Sequence, residues 1–382
     1  MSTRSQEEEI ASDQFRSIGM LLPLTNNQGS QKTSRQHIPQ ITIERRRAST
    51  AIQSLDQDKR LCEKVSEKWD DIETGGKPDP EKTVLYLAYG SNLASKTFLG
   101  DRGIKPISLI NVYVPELRLT FDLAGVPYQE PCFGTTRYRH ASNDESDGTI
   151  EDYEVVERAP LLRQEEHNHD RDHWDKPLIG VVYEITLSDY AWMIATESGG
   201  RGYTDAVVDC YPFPESYDPA DEVPGHPDTQ PFKAHCLLSL LADEDDESTS
   251  PSLSLPNPRI RPDPSHAQPS ARYLDLIKAG AAENNLPLSY RAHLSRIHSY
   301  HITTARQRMG KTIFLAIWGP LYSFVSYLTR TYARPDGQSP QWLVILSTIL
   351  HTCMWACYDF VFVKVFGEGE RTIGDTTLVE EV

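Results

Sequence analysis

The chain has 382 residues, 24% of them charged, with 26 prolines and a formal net charge of -17. That length holds two or three average domains, or one long domain with tails, and the many prolines and low aliphatic content favour the second arrangement. The acidic balance argues against nucleic acid as a partner, because a phosphate backbone is held by neutralising Lys and Arg.

Residues 1–82 open on the acidic, polar MSTRSQEEEI and mix Gln, Ser, Arg and Glu without a sustained period. They are expected to be disordered, and they carry no apolar signal-peptide core. Residues 83–300 then read as one domain. Candidate strands are 83–90 (TVLYLAYG), 109–123 (LINVYVPELRLTFDL), 177–186, 206–213 and 232–240, each rich in Val, Tyr, Ile or Phe and bounded by Pro, Gly or Asp. Residues 187–198 place Tyr190, Ile194 and Glu197 near helical spacing after a Ser/Asp start, and 271–285 and 289–297 read as two further helices. The sum is an α+β pattern with antiparallel pairing. Two loose insertions interrupt it, a charged stretch at 140–176 and an acidic, then Pro/Ser-rich stretch at 242–270.

Two short stretches carry candidate chemistry. The first strand stops at Tyr89-Gly90-Ser91-Asn92-Leu93, where unpaired backbone N–H groups and a glycine could cradle a small anion. A plain turn capped by Ser91 or Asn92 explains the same residues equally well. In the second, Glu197 closes an apolar helix and is followed by Ser198, Gly199 and Gly200, so its carboxylate projects where the backbone turns. Burial there would raise its proton affinity and suit general base work, while a surface glutamate at a helix end is the competing reading. His167, His169 and His173 sit in the acidic insertion with no apolar frame, and the six cysteines lack zinc-like spacing, so no metal is assigned.

Beyond a basic flank, 312–332 and 341–366 are apolar on all faces and about long enough to cross a bilayer, with a short polar link between them. Arg291, Arg296, Arg306, Arg308 and Lys311 precede the first segment, so the positive-inside bias places the large N-terminal part and the short tail in the cytosol. Two buried helices of a globular domain are the alternative. The expectation is a multi-pass membrane protein made of residues 1–82, a domain at 83–300 and a hairpin with tail at 301–382.

YGSNL after a first strand, PELRLTFD, GVVYEIT, ATESGGRGY with VDCYP, and PSARYLDLI, in this order, resemble the γ-glutamylcyclotransferase family and its fungal members from toxin gene clusters. The resemblance implies a small mixed β-barrel with flanking helices and no cofactor. It implies release of 5-oxoproline from a γ-glutamyl amide, such as glutathione or a glutathione-derived conjugate, in a lyase-type C–N cleavage. Glu197 would be the acid–base residue, Tyr89 to Leu93 the substrate cradle, and Tyr86, Tyr203 and Tyr273 pocket walls or hydrogen-bond donors. Ser198 stands where fungal relatives often carry glycine. A membrane-tethered binding module of the same fold, without catalysis, is the competing expectation.

Overall fold

The computed structural model describes residues 38–51, 83–139, 174, 176–196, 204–225, 227–238, 261, 266–332, 334 and 338–373. Five strands close a barrel: β1 (Thr83–Ala88), β2 (Ser108–Val114), β5 (Leu178–Thr186), β6 (Thr204–Pro212) and β7 (Phe232–Leu238). Around the barrel the order is β1–β5–β2–β6–β7, and every pairing is antiparallel except the closing one, where Tyr86 and Leu87 of β1 lie parallel to His235 and Cys236 of β7. The expected mixed β-barrel is therefore present.

Alternation along each strand decides which side chains fill it. Leu85, Leu87, Val112, Val182, Cys210 and Cys236 belong to one cluster drawn from all five strands, which fills the barrel interior. Val84, Tyr86, Val181 and Tyr183 point outward and are covered by helices α2 (Leu187–Thr196) and α3 (Ala271–Glu283), with α4 (Leu288–Arg296) beyond. Each large apolar side chain buried in this way contributes about 1.5–3 kcal/mol. Cys132, Cys210 and Cys236 are free, fully buried thiols, and burial pushes each well above its usual range and leaves it unreactive.

The structure corrects the sequence reading in three places. The single strand expected at 109–123 is two strands, because Pro115 has no N–H to continue the barrel ladder. The chain turns there into β3 (Leu117–Val126), which pairs with β4 (Glu130–Tyr138) in a separate two-stranded sheet. The strand β4 escaped notice because Pro131, Gly134 and a run of Thr and Arg dilute its apolar signature. Second, residues 38–51 of the flank expected to be disordered are ordered. Ile41 N–H donates to Leu109 O at 3.1 Å, and α1 (Ile43–Ala51) follows, with Arg45 Nε 2.9 Å from Glu184 Oε1. Burial pushes the Glu184 carboxyl up, but donors from Ser108, Thr83 and Arg45 outweigh it and leave the group below its ordinary value. Third, the described parts of the 242–270 insertion, Arg261 and 266–270, are bonded to the rest of the fold: Arg261 to Asp359 and Glu370, and Ser270 to Glu130.

At the C-terminal end, α5 (Ala305–Thr331) and α6 (Gln341–Cys357) form an antiparallel hairpin, and α6 continues through a wider π turn (Tyr358–Phe362) to Phe366. A Thr304/Gln307 capping box starts α5, so the helix runs through part of the basic flank before the apolar segment begins. Both helices are long and apolar enough to cross a membrane, at 25 and 26 residues by that measure.

Helix α3 is pressed onto the turn after β1. A Cβ on Gly280 would lie 2.4 Å from the Leu93 carbonyl carbon, and Asn284 Nδ2 donates to Leu93 O at 3.0 Å. Gly280→Ala is therefore expected to destabilise the domain. The overpacking cost is about 3 kcal/mol, against a helix-propensity gain of about 1 kcal/mol. Thermal unfolding followed by circular dichroism should show a melting temperature lower by several degrees, and a rise would show that the helix stands off the turn.

Candidate active site

The candidate site lies on the outer face of the barrel, where β1 ends. After Ala88 the chain passes Tyr89 and Gly90 into one 3-10 turn, Ser91–Leu93, closed by Leu93 N–H donating to Gly90 O at 3.0 Å and Ala94 N–H to Ser91 O at 3.1 Å. Gly90 and Ser91 are partly exposed, whereas Tyr89, Asn92 and Leu93 are buried. Tyr89 packs with the interior cluster and donates its hydroxyl to Leu237 O at 2.8 Å, so it ties the turn to β7. Asn92 is a brace. Its Nδ2 donates to Tyr86 Oη at 2.9 Å, and its Oδ1 accepts from Arg102 Nε at 2.8 Å.

The glycine at 90 answers a packing requirement. A Cβ there would lie 3.2 Å from the Tyr273 hydroxyl, so the neighbour would have to shift for a larger residue. On the other side of that hydroxyl, Gly134 N–H donates to it at 3.0 Å, and a Cβ on Gly134 would lie 3.0 Å away. Tyr273 reaches this position from the first turn of α3, whose N-cap Ser270 accepts from Tyr273 N–H at 3.1 Å. The Phe133 ring meets Tyr273 edge-on at 5.3 Å. The structure thus gathers Tyr86, Gly90, Ser91, Asn92 and Tyr273 about one turn. Glu197 and Tyr203 lie outside the described residues, as do His167, His169 and His173.

Helix α2 approaches the same turn. Met193 Sδ lies 3.8 Å from Asn92 Nδ2, and Tyr190 packs its ring 6.0 Å from that of Tyr86. The Tyr190 hydroxyl donates to Asp205 Oδ1 at 2.6 Å, and Asp205 also meets His235 Nδ1 at 2.9 Å. Tyr190 belongs to the helix before 197–203 and Asp205 to the strand after it, so this hydrogen bond joins the two elements that flank that segment. Sequence reasoning placed Tyr190 on a helix but gave it no role, and missed Asp205, His235, Arg102, Met193 and Gly134. The contacts of Tyr190 and His235 with Asp205 bridge 15 and 30 residues, and no local motif marks them.

Comparison with known proteins adds a family. The family profile described as the AclK C-terminal domain matches residues 304–365. The gamma-glutamyl cyclotransferase aclK of Aspergillus oryzae is 32% identical over 299 residues, covering 77% of this chain and 92% of that protein. The gamma-glutamyl cyclotransferase gliK of Aspergillus fumigatus is 28% identical over 296 residues, covering 76% and 91%. A solved gamma-glutamyl cyclotransferase structure aligns with a TM-score of 0.34 at 17% identity, covering 58% of this chain and 92% of that one.

Tyr190→Phe keeps the ring and deletes one hydrogen bond to a carboxylate. It is expected to lower stability by about 1.5–3 kcal/mol in chemical denaturation. A change under about 0.5 kcal/mol, the scatter typical of surface substitutions, would show that this bond contributes nothing measurable.

Proposed function

The chain belongs to the γ-glutamyl cyclotransferase family, and from that premise we infer that it closes the glutamyl group of a γ-glutamyl amide into 5-oxoproline and releases the amine. The α-amine of the glutamyl group attacks its own side-chain carbonyl, a five-membered ring forms, and the C–N bond to the leaving amine breaks. Water is not consumed. The attacking amine has an ordinary pKa of about 8 and is largely protonated near neutral pH. A base must first take its proton, and an acid must return one to the leaving nitrogen. Glu197 is assigned both tasks.

The observation that carries this assignment is the contact of Met193 Sδ with Asn92 Nδ2 at 3.8 Å. Met193 lies in the last turn of α2, so this contact brings the end of the described helix beside the Gly90–Ser91 turn, and Glu197 follows Met193 by four residues in the sequence. The partly exposed backbone at Gly90 and Ser91 supplies the place for the substrate's carboxylate or the developing oxyanion. A donor of that kind is worth about 3 kcal/mol in the transition state. Holding the glutamyl chain bent contributes through orientation, for which the ceiling is about 7–11 kcal/mol. Tyr203 and Tyr273 are assigned to the pocket wall.

The substrate class is glutathione, a γ-glutamyl amino acid or a glutathione-derived conjugate, in the last case within the synthesis of a sulfur-containing secondary metabolite. The two apolar helices are assigned to a membrane, crossing it twice, with the barrel domain and tail on the cytosolic side.

Incubation with glutathione and with a γ-glutamyl conjugate should release 5-oxoproline, detected by mass spectrometry. Glu197→Gln should lower the rate by about 100-fold or more, the scale of a lost acid–base group, with unfolding temperature unchanged. Binding without turnover by the unmodified protein would replace catalysis with the binding-module reading.

A further inference from the structure

Arg261 comes from the stretch read as a Pro/Ser-rich insertion, yet its side chain is only 12% exposed, at the foot of the α5–α6 hairpin. Its Nη1 and Nη2 donate to Asp359 Oδ2 and Oδ1 at 2.9 and 2.6 Å, its Nε donates to Glu370 Oε1 at 2.8 Å, and its guanidinium lies 4.0 Å from the centre of the Trp355 ring. One side chain therefore joins the insertion, the second helix and the segment that follows it. That segment, 367–372, is strapped to the barrel domain. Tyr128, in the β3–β4 turn, donates its N–H to Gly369 O at 2.8 Å and its hydroxyl to Gly367 O at 2.7 Å. Gln268 N–H donates to Glu370 O at 2.9 Å, and Thr372 N–H to Gln268 Oε1 at 2.9 Å. Tyr128 holds a φ of 63°, a left-handed backbone in which a bulky residue is strained, and both of these bonds fasten it there. Its ring meets Phe314 and Tyr358 edge-on, so the turn is wedged against both helices.

The helix register places this clamp in depth. Tyr332 pairs with Trp342 at the tip, Tyr322 with His351 midway, and Phe314 with Tyr358 at the foot. At 1.5 Å per residue the helix from Phe314 to Thr331 covers roughly 25 Å, close to the hydrocarbon thickness of about 30 Å. Asp359 is thus at the foot, beside the barrel domain, and not midway along the span. Above it, Ile317, Phe324 and Tyr327 of α5 and Ile345 and Ile349 of α6 are exposed. Apolar exposure on both helices, aromatic residues at the tip and exposed Arg306 and Arg308 at the foot are the ordering that a bilayer takes. A protein partner requires none of it.

Resting on the membrane assignment above, we propose that the hairpin's partner is a lipid bilayer and that the Arg261 clamp and the 367–372 strap hold the barrel domain in one fixed pose on its surface. Asp359 lies at the headgroup level, and the buried Tyr128 turn seats the domain against the foot of the hairpin. The Gly90–Tyr273 site stays within roughly 20 Å of the surface, the length of chain from Tyr128 to Gly134 at strand rise. The membrane segment is a rigid mount for the domain and not a flexible leash.

The test uses the full chain reconstituted in phosphatidylcholine/phosphatidylserine liposomes, with hydrogen–deuterium exchange read at 126–130 and 367–372. The unmodified protein should float with the vesicles, resist carbonate extraction and protect both segments. Arg261→Met should still float but exchange at least tenfold faster in both. Tyr128→Phe, which leaves every charge in place, should accelerate exchange at 367–372 at least threefold. Unmodified protein that stays in the unbound fraction overturns the bilayer partner and the membrane assignment together. Flotation with unchanged exchange in both variants overturns the clamp alone. 5-oxoproline release from the same vesicles reports the catalytic reading separately.

Discussion

One hydroxyl organises much of this molecule. The Tyr273 Oη sits closely between two glycines, Gly90 after the first barrel strand and Gly134 in the two-stranded sheet, and it accepts the N–H of the second. Through it three pieces that share no hydrogen-bond ladder meet at one point: the barrel, the β3–β4 sheet and helix α3. The same packing leaves Gly90 and Ser91 partly open beside it. The site is therefore a junction of three layers. Its shape depends on how closely backbone can approach backbone, as at Gly280 over Leu93.

Polar groups around that junction are paired in short relays. Arg102, Asn92 and Tyr86 form one, and Tyr190, Asp205 and His235 another, with the Tyr86 and Tyr190 rings in between. A buried donor or acceptor without a partner costs about 1–3 kcal/mol, so such relays fix side-chain orientation as well as offsetting desolvation. The excess of acidic residues over basic ones does not leave the described core with bare carboxylates. Glu184, Glu130 and Glu370 each meet an arginine, from α1, α3 and the insertion in turn.

Legibility followed the range of the interaction. The first strand, its abrupt turn, the helix before Glu197 and the tyrosine of PSARYLDLI could all be read because each depends on neighbours within a few positions. The two apolar helices could be read because their composition is uniform. What escaped was long-range. The Arg261 to Asp359 pair spans 98 residues and sits in a stretch whose prolines and serines resemble linker composition. Helix α1 was hidden because its own sequence, IERRRASTA, has no apolar stripe. It is held by a bridge from Gln40 to Leu109 and by Arg45 on Glu184. The split at Pro115 was locally visible, but nothing local says that the strand after it leaves the barrel.

The parallel contact between β1 and β7 closes the cylinder with the strands farthest apart in the barrel's sequence. Closure removes the free strand edges through which open sheets recruit other chains. It also makes the barrel a structure of high contact order, because the last seam waits for a segment made long after the first. Until β7 arrives, the outer backbone of β1 and β6 is exposed as two unprotected edges. The interval between synthesis of the first and last strands is thus the period in which this chain is most open to self-association.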